Sequence, residues 1–84
     1  MPIIAKFYGI IIKMYFIQSE HNPPHIHAFY NQYVAAIQLD NFGVMSGYLP
    51  PKAMSLVLEW MEIHRQELIN MWNQQQFIKI DGLE

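Results

Sequence analysis

Three of the four histidines in this chain fall in one short stretch, His21-Asn22-Pro23-Pro24-His25-Ile26-His27. If His25 and His27 stand on a strand, both imidazoles leave the same face, about 6–7 Å apart at the backbone. Imidazole is the commonest metal ligand and the side chain best suited to move a proton near neutral pH. Pro23 and Pro24 fix two φ angles and remove two donors, so the approach to the pair is stiff. Two kinds of chemistry follow. His25 and His27 could hold a divalent metal, with Glu20, His21 or Asp40 completing the set. Alternatively, His21, His25 and His27 could work without metal as general acid and base on a phosphodiester. A structural role also fits, in which the rings bond backbone groups and rigidify the loop. No metalloenzyme signature such as H-E-x-x-H separates these uses.

The elements that must position these residues follow from periodicity. Ile3 to Ile17 is dense in Ile, Phe and Tyr and reads as strand, with Gly9 marking a bulge or a break between two short strands. Ile10, Ile12, Met14 and Phe16 share one face; Ile11, Lys13 and Tyr15 share the other. His25–Tyr30 and Tyr33–Asp40 form a hairpin about Asn31-Gln32. Asn41-Phe42-Gly43 makes a second turn, with Gly43 suited to the left-handed position, and Val44–Tyr48 is a further strand. Leu49-Pro50-Pro51 opens a helix, since proline is tolerated in the first turn, and the helix runs from Lys52 to about Asn73. Its apolar face carries Ala53, Met54, Val57, Trp60, Met61, His64, Leu68, Met71 and Trp72. Phe77–Ile80 is expected as a short final strand. The fold is therefore α+β: an antiparallel β-meander of three to five short strands, packed on one face by a single long C-terminal helix.

With Asn31-Gln32 as the turn, Ile26 pairs with Ile37, Ala28 with Ala35 and Tyr30 with Tyr33. That face is apolar, with Met45 and Gly47 expected to join it, and small residues Ala28, Ala35 and Gly47 form a seat for the helix. The opposite face is mixed. It carries His25, His27, Phe29, Val34, Ala36, Gln38, Asp40, Val44, Ser46 and Tyr48, with His25 beside Gln38 and Ser46 and His27 beside Ala36. His64, on the apolar stripe of the helix, reads as a structural core histidine bonded to a carbonyl. Arg65 and Glu67 flank the stripe as solvated charges, and Lys13 could hold an anion.

Composition bounds the rest. The chain has 84 residues, enough for a single domain over residues 1–84, and no cysteine, which excludes a disulfide framework or thiolate metal site. Hydrophobic residues reach 52%, which excludes a disordered chain. No apolar run approaches the roughly 18 residues of a membrane span, and no secretory leader is expected, so a cytoplasmic protein is anticipated. The formal charge of −2 argues against a general nucleic-acid footprint, and a local patch of Lys13, Lys52 and Arg65 would be needed to bind RNA. One helix covers one of two sheet faces, which leaves Phe29, Val34, Val44 and Tyr48 wet. Self-association or a small cognate partner is expected to cover them.

Gly9-Ile10 through Met14-Tyr15-Phe16, then His21-Asn22-Pro23-Pro24-His25-Ile26-His27, Gly47-Tyr48-Leu49-Pro50, Leu58-Glu59-Trp60, His64-Arg65 and Glu67-Leu68 together resemble a small bacterial family known as domain of unknown function 4160. Glu20 stands where members usually have Asp, Ile26 where an aromatic residue is common, and Gln32 where Gly is frequent. Members are often encoded beside a second small domain in a toxin–antitoxin layout. The resemblance therefore implies a toxin-side protein, with His21, His25, His27 and His64 as candidate functional positions and Lys13 and Arg65 as phosphate partners; Tyr48 is added as a substrate contact. It brings no mechanism and no cofactor. Alternatives are a non-catalytic interaction or regulatory module and a small metal-binding domain using His25, His27 and Glu20.

Overall fold

A computed structural model describes residues 3–15 and 23–83. Five strands run in chain order across one antiparallel sheet: β1 (Ile3–Phe7), β2 (Ile10–Lys13), β3 (His25–Tyr30), β4 (Tyr33–Gln38) and β5 (Val44–Gly47). A single helix, α1 (Pro51–Gln74), packs on one face. Gly9 is a break rather than a bulge. Tyr8 and Gly9 take φ of 51° and 79°, the two left-handed positions of a tight hairpin turn whose twist matches the strands. Asn31 supplies the positive φ, 52°, of the β3–β4 turn.

The β3–β4 register is the expected one, with Ile26 opposite Ile37, Ala28 opposite Ala35 and Tyr30 opposite Tyr33. Ile26, Ala28, Ala35 and Ile37 are fully buried beneath the helix, together with Ile10, Ile12 and Met14 of the preceding segment. The helix buries Ala53, Val57, Trp60, Met61, Leu68, Met71 and Trp72, the 3.6-residue stripe of the sequence. Trp60 anchors this layer. It stacks on Phe7 at 5.6 Å and donates its indole N–H to the Asp81 carbonyl at 2.9 Å.

Four expectations need correction. The β4–β5 pairing slips between Ala36 and Ile37, so that Ala35 faces Gly47, Ala36 faces Ser46 and Ile37 faces Val44. Ser46 therefore lies in the row of His27, not that of His25. Met45 becomes the extra residue of a bulge and is 39% exposed, so it does not join the apolar face; Gly47 does stand opposite Ala35 on that face, as expected, but is itself exposed. In the second turn, Phe42 rather than Gly43 takes the left-handed φ, 58°. The Asn41 side chain accepts from Gly43 N at 2.8 Å, an Asx turn that settles the geometry before glycine is needed there. Finally, Phe77–Ile80 forms no strand. The segment runs along β1 with one backbone bond, from Ile80 N to Ile4 O at 2.7 Å; the burial of Ile80 and the close fit of Gly82 against Phe7, rather than a ladder, hold it.

The helix departs from regular geometry at His64 (φ −108°, ψ 16°) and ends at Gln75 in the left-handed conformation. No helix among the described residues is long and apolar enough to cross a membrane.

Candidate functional site

His25 opens β3 and His27 follows two residues on, so period 2 sends both rings to the face away from the helix. Their ring centroids lie 5.0 Å apart, edge to face. The two rings are held differently. His25 is 3% exposed, the one buried polar side chain among the described residues. Its Nδ1 lies 2.8 Å from the Pro23 carbonyl, and its ring lies 5.3 Å from that of Trp72 near the end of α1. A carbonyl only accepts, so Nδ1 carries the proton, and in the neutral ring Nε2 is the basic nitrogen. The stiff Pro23-Pro24 approach fixes this ring, and Pro24 is itself tied to the residue that follows β4 by the bond from Leu39 N to Pro24 O at 3.0 Å.

His27 is partly exposed and stands in a row across four strands: Lys13, His27, Ala36 and Ser46. Directly opposed residues have Cβ atoms about 4.5–5.5 Å apart, which brings the Lys13 stem beside the imidazole. The Lys13 ammonium sits 4.7 Å from the ring centroid of Phe29, one step along the same face. Tyr15, two residues beyond Lys13, meets His27 edge-on at 4.5 Å. Ala36, on the far side of His27, is buried.

The structure thus gathers His25, His27 and Lys13 and sets the other candidates elsewhere. Arg65 is not a free cation: it donates to the Asp40 carbonyl and lies 5.2 Å from the Phe42 ring, pinning the turn between β4 and β5. Tyr48 is 58% exposed and packs edgewise on Tyr33 at 5.8 Å, beside the tip of the β3–β4 hairpin. His64 lies 5.3 Å from the Trp60 ring, and its Nδ1 is 2.6 Å from a Glu67 carboxylate oxygen, so its partner is a side chain and not the carbonyl expected. It stands eight residues before Trp72, about 12 Å along the helix axis from the residue that meets His25. Lys52 lines a separate groove of about 550 Å³ with Tyr8, Tyr30 and Glu59. A patch joining Lys13, Lys52 and Arg65 is therefore not formed.

Glu20 and His21 lie outside the described residues. Among those described, no three His, Cys, Asp or Glu side chains gather into a metal-binding group. His25 and His27 would supply two ligands at most from this set.

Sequence reasoning passed over two residues of the site. Tyr15 shares the Lys13 face by parity, but the intervening loop hides which residue of β3 it meets. Trp72 was read as core; it is core, and its ring also closes over His25.

One family model, domain of unknown function (DUF4160), matches residues 9–73. Comparison with curated proteins and with solved structures finds no match.

Proposed function

The chain belongs to the DUF4160 family, and from that premise we propose that it is the toxin-side component of a bacterial toxin–antitoxin pair, acting by histidine-dependent binding or cleavage of RNA. The observation that carries this is the placement of the partly exposed His27 beside Lys13 on the sheet face opposite the helix, with the His25 ring 5.0 Å away. His27 is the group that meets the phosphodiester. Its imidazole takes the proton from a ribose 2′-hydroxyl, whose oxygen attacks phosphorus. The bond to the 5′-oxygen breaks, that oxygen is protonated, and a 2′,3′-cyclic phosphate and a 5′-hydroxyl result. Lys13 offsets the charge that grows on the non-bridging oxygens. His25, buried between Pro23 and Trp72, is a positioning residue that holds the His27 ring. His21 is the candidate for the second proton transfer. An RNA target and a cysteine-free chain both suit the cytoplasm.

The test is induced expression of the chain alone and together with the product of the adjacent gene. Growth arrest that the neighbour relieves, and that His27→Ala and Lys13→Ala abolish, is the expected result. Arrest that survives His27→Ala, or no arrest and no cyclic-phosphate product from purified protein on total RNA, refutes it.

A second reading rests on a different observation. Val34, Val44, Met45 and Tyr48 are 39–58% exposed around β5, the outer strand whose far edge pairs with no other strand among the described residues. Such an edge suits a non-catalytic module that binds a cognate partner or a second copy by strand addition. Under that reading, a Val44→Lys variant loses the partner in pull-down while His27→Ala keeps it.

A further inference from the structure

The formal charge of −2 conceals a division between the two layers. The five strands carry Lys6, Lys13, His25 and His27 and no Asp or Glu. The helix carries Glu59, Glu62 and Glu67 against Lys52 and Arg65. Lys6 pairs with Ile11, which places it on the face of Lys13 and His27, away from the helix. That face also presents two aromatic rings, Phe29 and Tyr15, both partly exposed. Cations, π-surfaces and the absence of strand carboxylates on one flat face make it complementary to a polyanion with unstacked bases.

We infer that the outer face of the sheet is a platform for single-stranded RNA, a conclusion that builds on the RNA reading above and narrows its substrate to unpaired strand. Lys6 and Lys13 take successive phosphates, and a base stacks on Phe29. In the unliganded protein the Lys13 ammonium occupies the Phe29 ring at 4.7 Å. An exposed cation–π contact is weaker than base–aromatic stacking, so a strand that offers a phosphate to Lys13 and a base to Phe29 replaces one weak contact with two stronger ones. A duplex cannot make this exchange, because its bases are already stacked and paired.

The experiment uses a fluorescein-labelled 2′-O-methyl RNA 12-mer, which lacks the hydroxyl needed for cleavage, read by anisotropy against the same length of duplex. The single strand is expected to bind at least tenfold more tightly. The logarithm of affinity should fall with that of salt at a slope of about −1.4 for two phosphate contacts, and Lys6→Ala or Lys13→Ala should each remove about 0.7 from it. Phe29→Leu, which keeps an apolar side chain but no stacking surface, should weaken binding roughly 5- to 150-fold. Lys52→Ala, in the separate groove, should bind as wild type. Duplex bound as tightly as single strand, or Lys13→Ala and Phe29→Leu both binding as wild type, or no binding at all, overturns the inference. Binding without growth arrest sustains the platform and sinks the toxin reading; arrest by a chain that ignores the oligonucleotide does the reverse.

Discussion

Replacing His25 and His27 singly should separate a residue that holds the fold from one that meets the ligand. The His25 ring is 3% exposed, bonded to the Pro23 carbonyl and packed on Trp72. His25→Ala strands that carbonyl, at a cost of about 1–3 kcal/mol. It also removes an aromatic neighbour from Trp72, worth about 0.5–1.5 kcal/mol. Together the loss should be about 2–4 kcal/mol. A chain of 84 residues has a total stability of about 4–13 kcal/mol. His25→Ala should therefore lower Tm by about 8–32 °C, at roughly 4–8 °C per kcal/mol for a domain this size, and the larger loss unfolds a protein at the lower bound of stability. His27→Ala, at a partly exposed position, loses its edge contacts with Tyr15 and His25 but strands no carbonyl, and should cost about 1–2 kcal/mol, less than His25→Ala. Urea melts followed by circular dichroism check both. His25→Phe, which keeps a ring against Trp72 but donates nothing, should fall between them. A His25→Ala protein as stable as wild type, or a His27→Ala protein that loses as much as His25→Ala, would refute the division of labour. The double alanine variant is thus a poor probe of function, although both histidines share a face.

Three further outcomes are expected. Gly47→Ala should cost about 2–4 kcal/mol, because φ is 82° and the added Cβ would stand 2.0 Å from the Val34 carbonyl oxygen, which accepts from Tyr48 N; denaturant melts measure it. Gly82→Ala would place Cβ 2.6 Å from that of Phe7 and 2.8 Å from the Lys6 carbonyl, so it should lift the C-terminal segment, free the Trp60 indole from Asp81 and raise acrylamide quenching of tryptophan fluorescence. His64→Leu should change stability by about 1 kcal/mol or less, since the Glu67 partner is 55% exposed and can be rehydrated, and it should leave growth arrest intact; a variant that folds but loses arrest would place His64 in the site.

Much of the fold was legible because its decisive signals are local. The Asn31 turn fixes the β3–β4 register, and the register fixes which side chains lie under the helix. The helix stripe was read nearly residue for residue, from Ala53 to Trp72. What parity could not give was the β4–β5 slip. The Phe42 ring under Arg65 and the Arg65 bond to the Asp40 carbonyl join residues more than 20 apart, and the local Asx turn at Asn41 and the bulge at Met45 that go with them move β5 relative to the His25–His27 rows. The C-terminal segment failed as a strand for a similar reason: Phe77–Ile80 has strand composition, but the Trp60 bond to Asp81 and the fit of Gly82 against Phe7 decide its path.

The site shows why face assignment and burial must be argued separately. Alternation places His25 and His27 on one face correctly, yet it says nothing about what closes over the end of a strand. His25 is the first residue of β3, where Trp72 reaches its ring. One residue pair inward on the same face, Lys13, His27 and Phe29 are each partly exposed, and there they meet. The chemistry is therefore expected to lie one step further along β3 than the histidine cluster alone suggests. Its cation comes from β2, which lies more than ten residues before His25 in sequence and which a single antiparallel register brings beside the cluster in space.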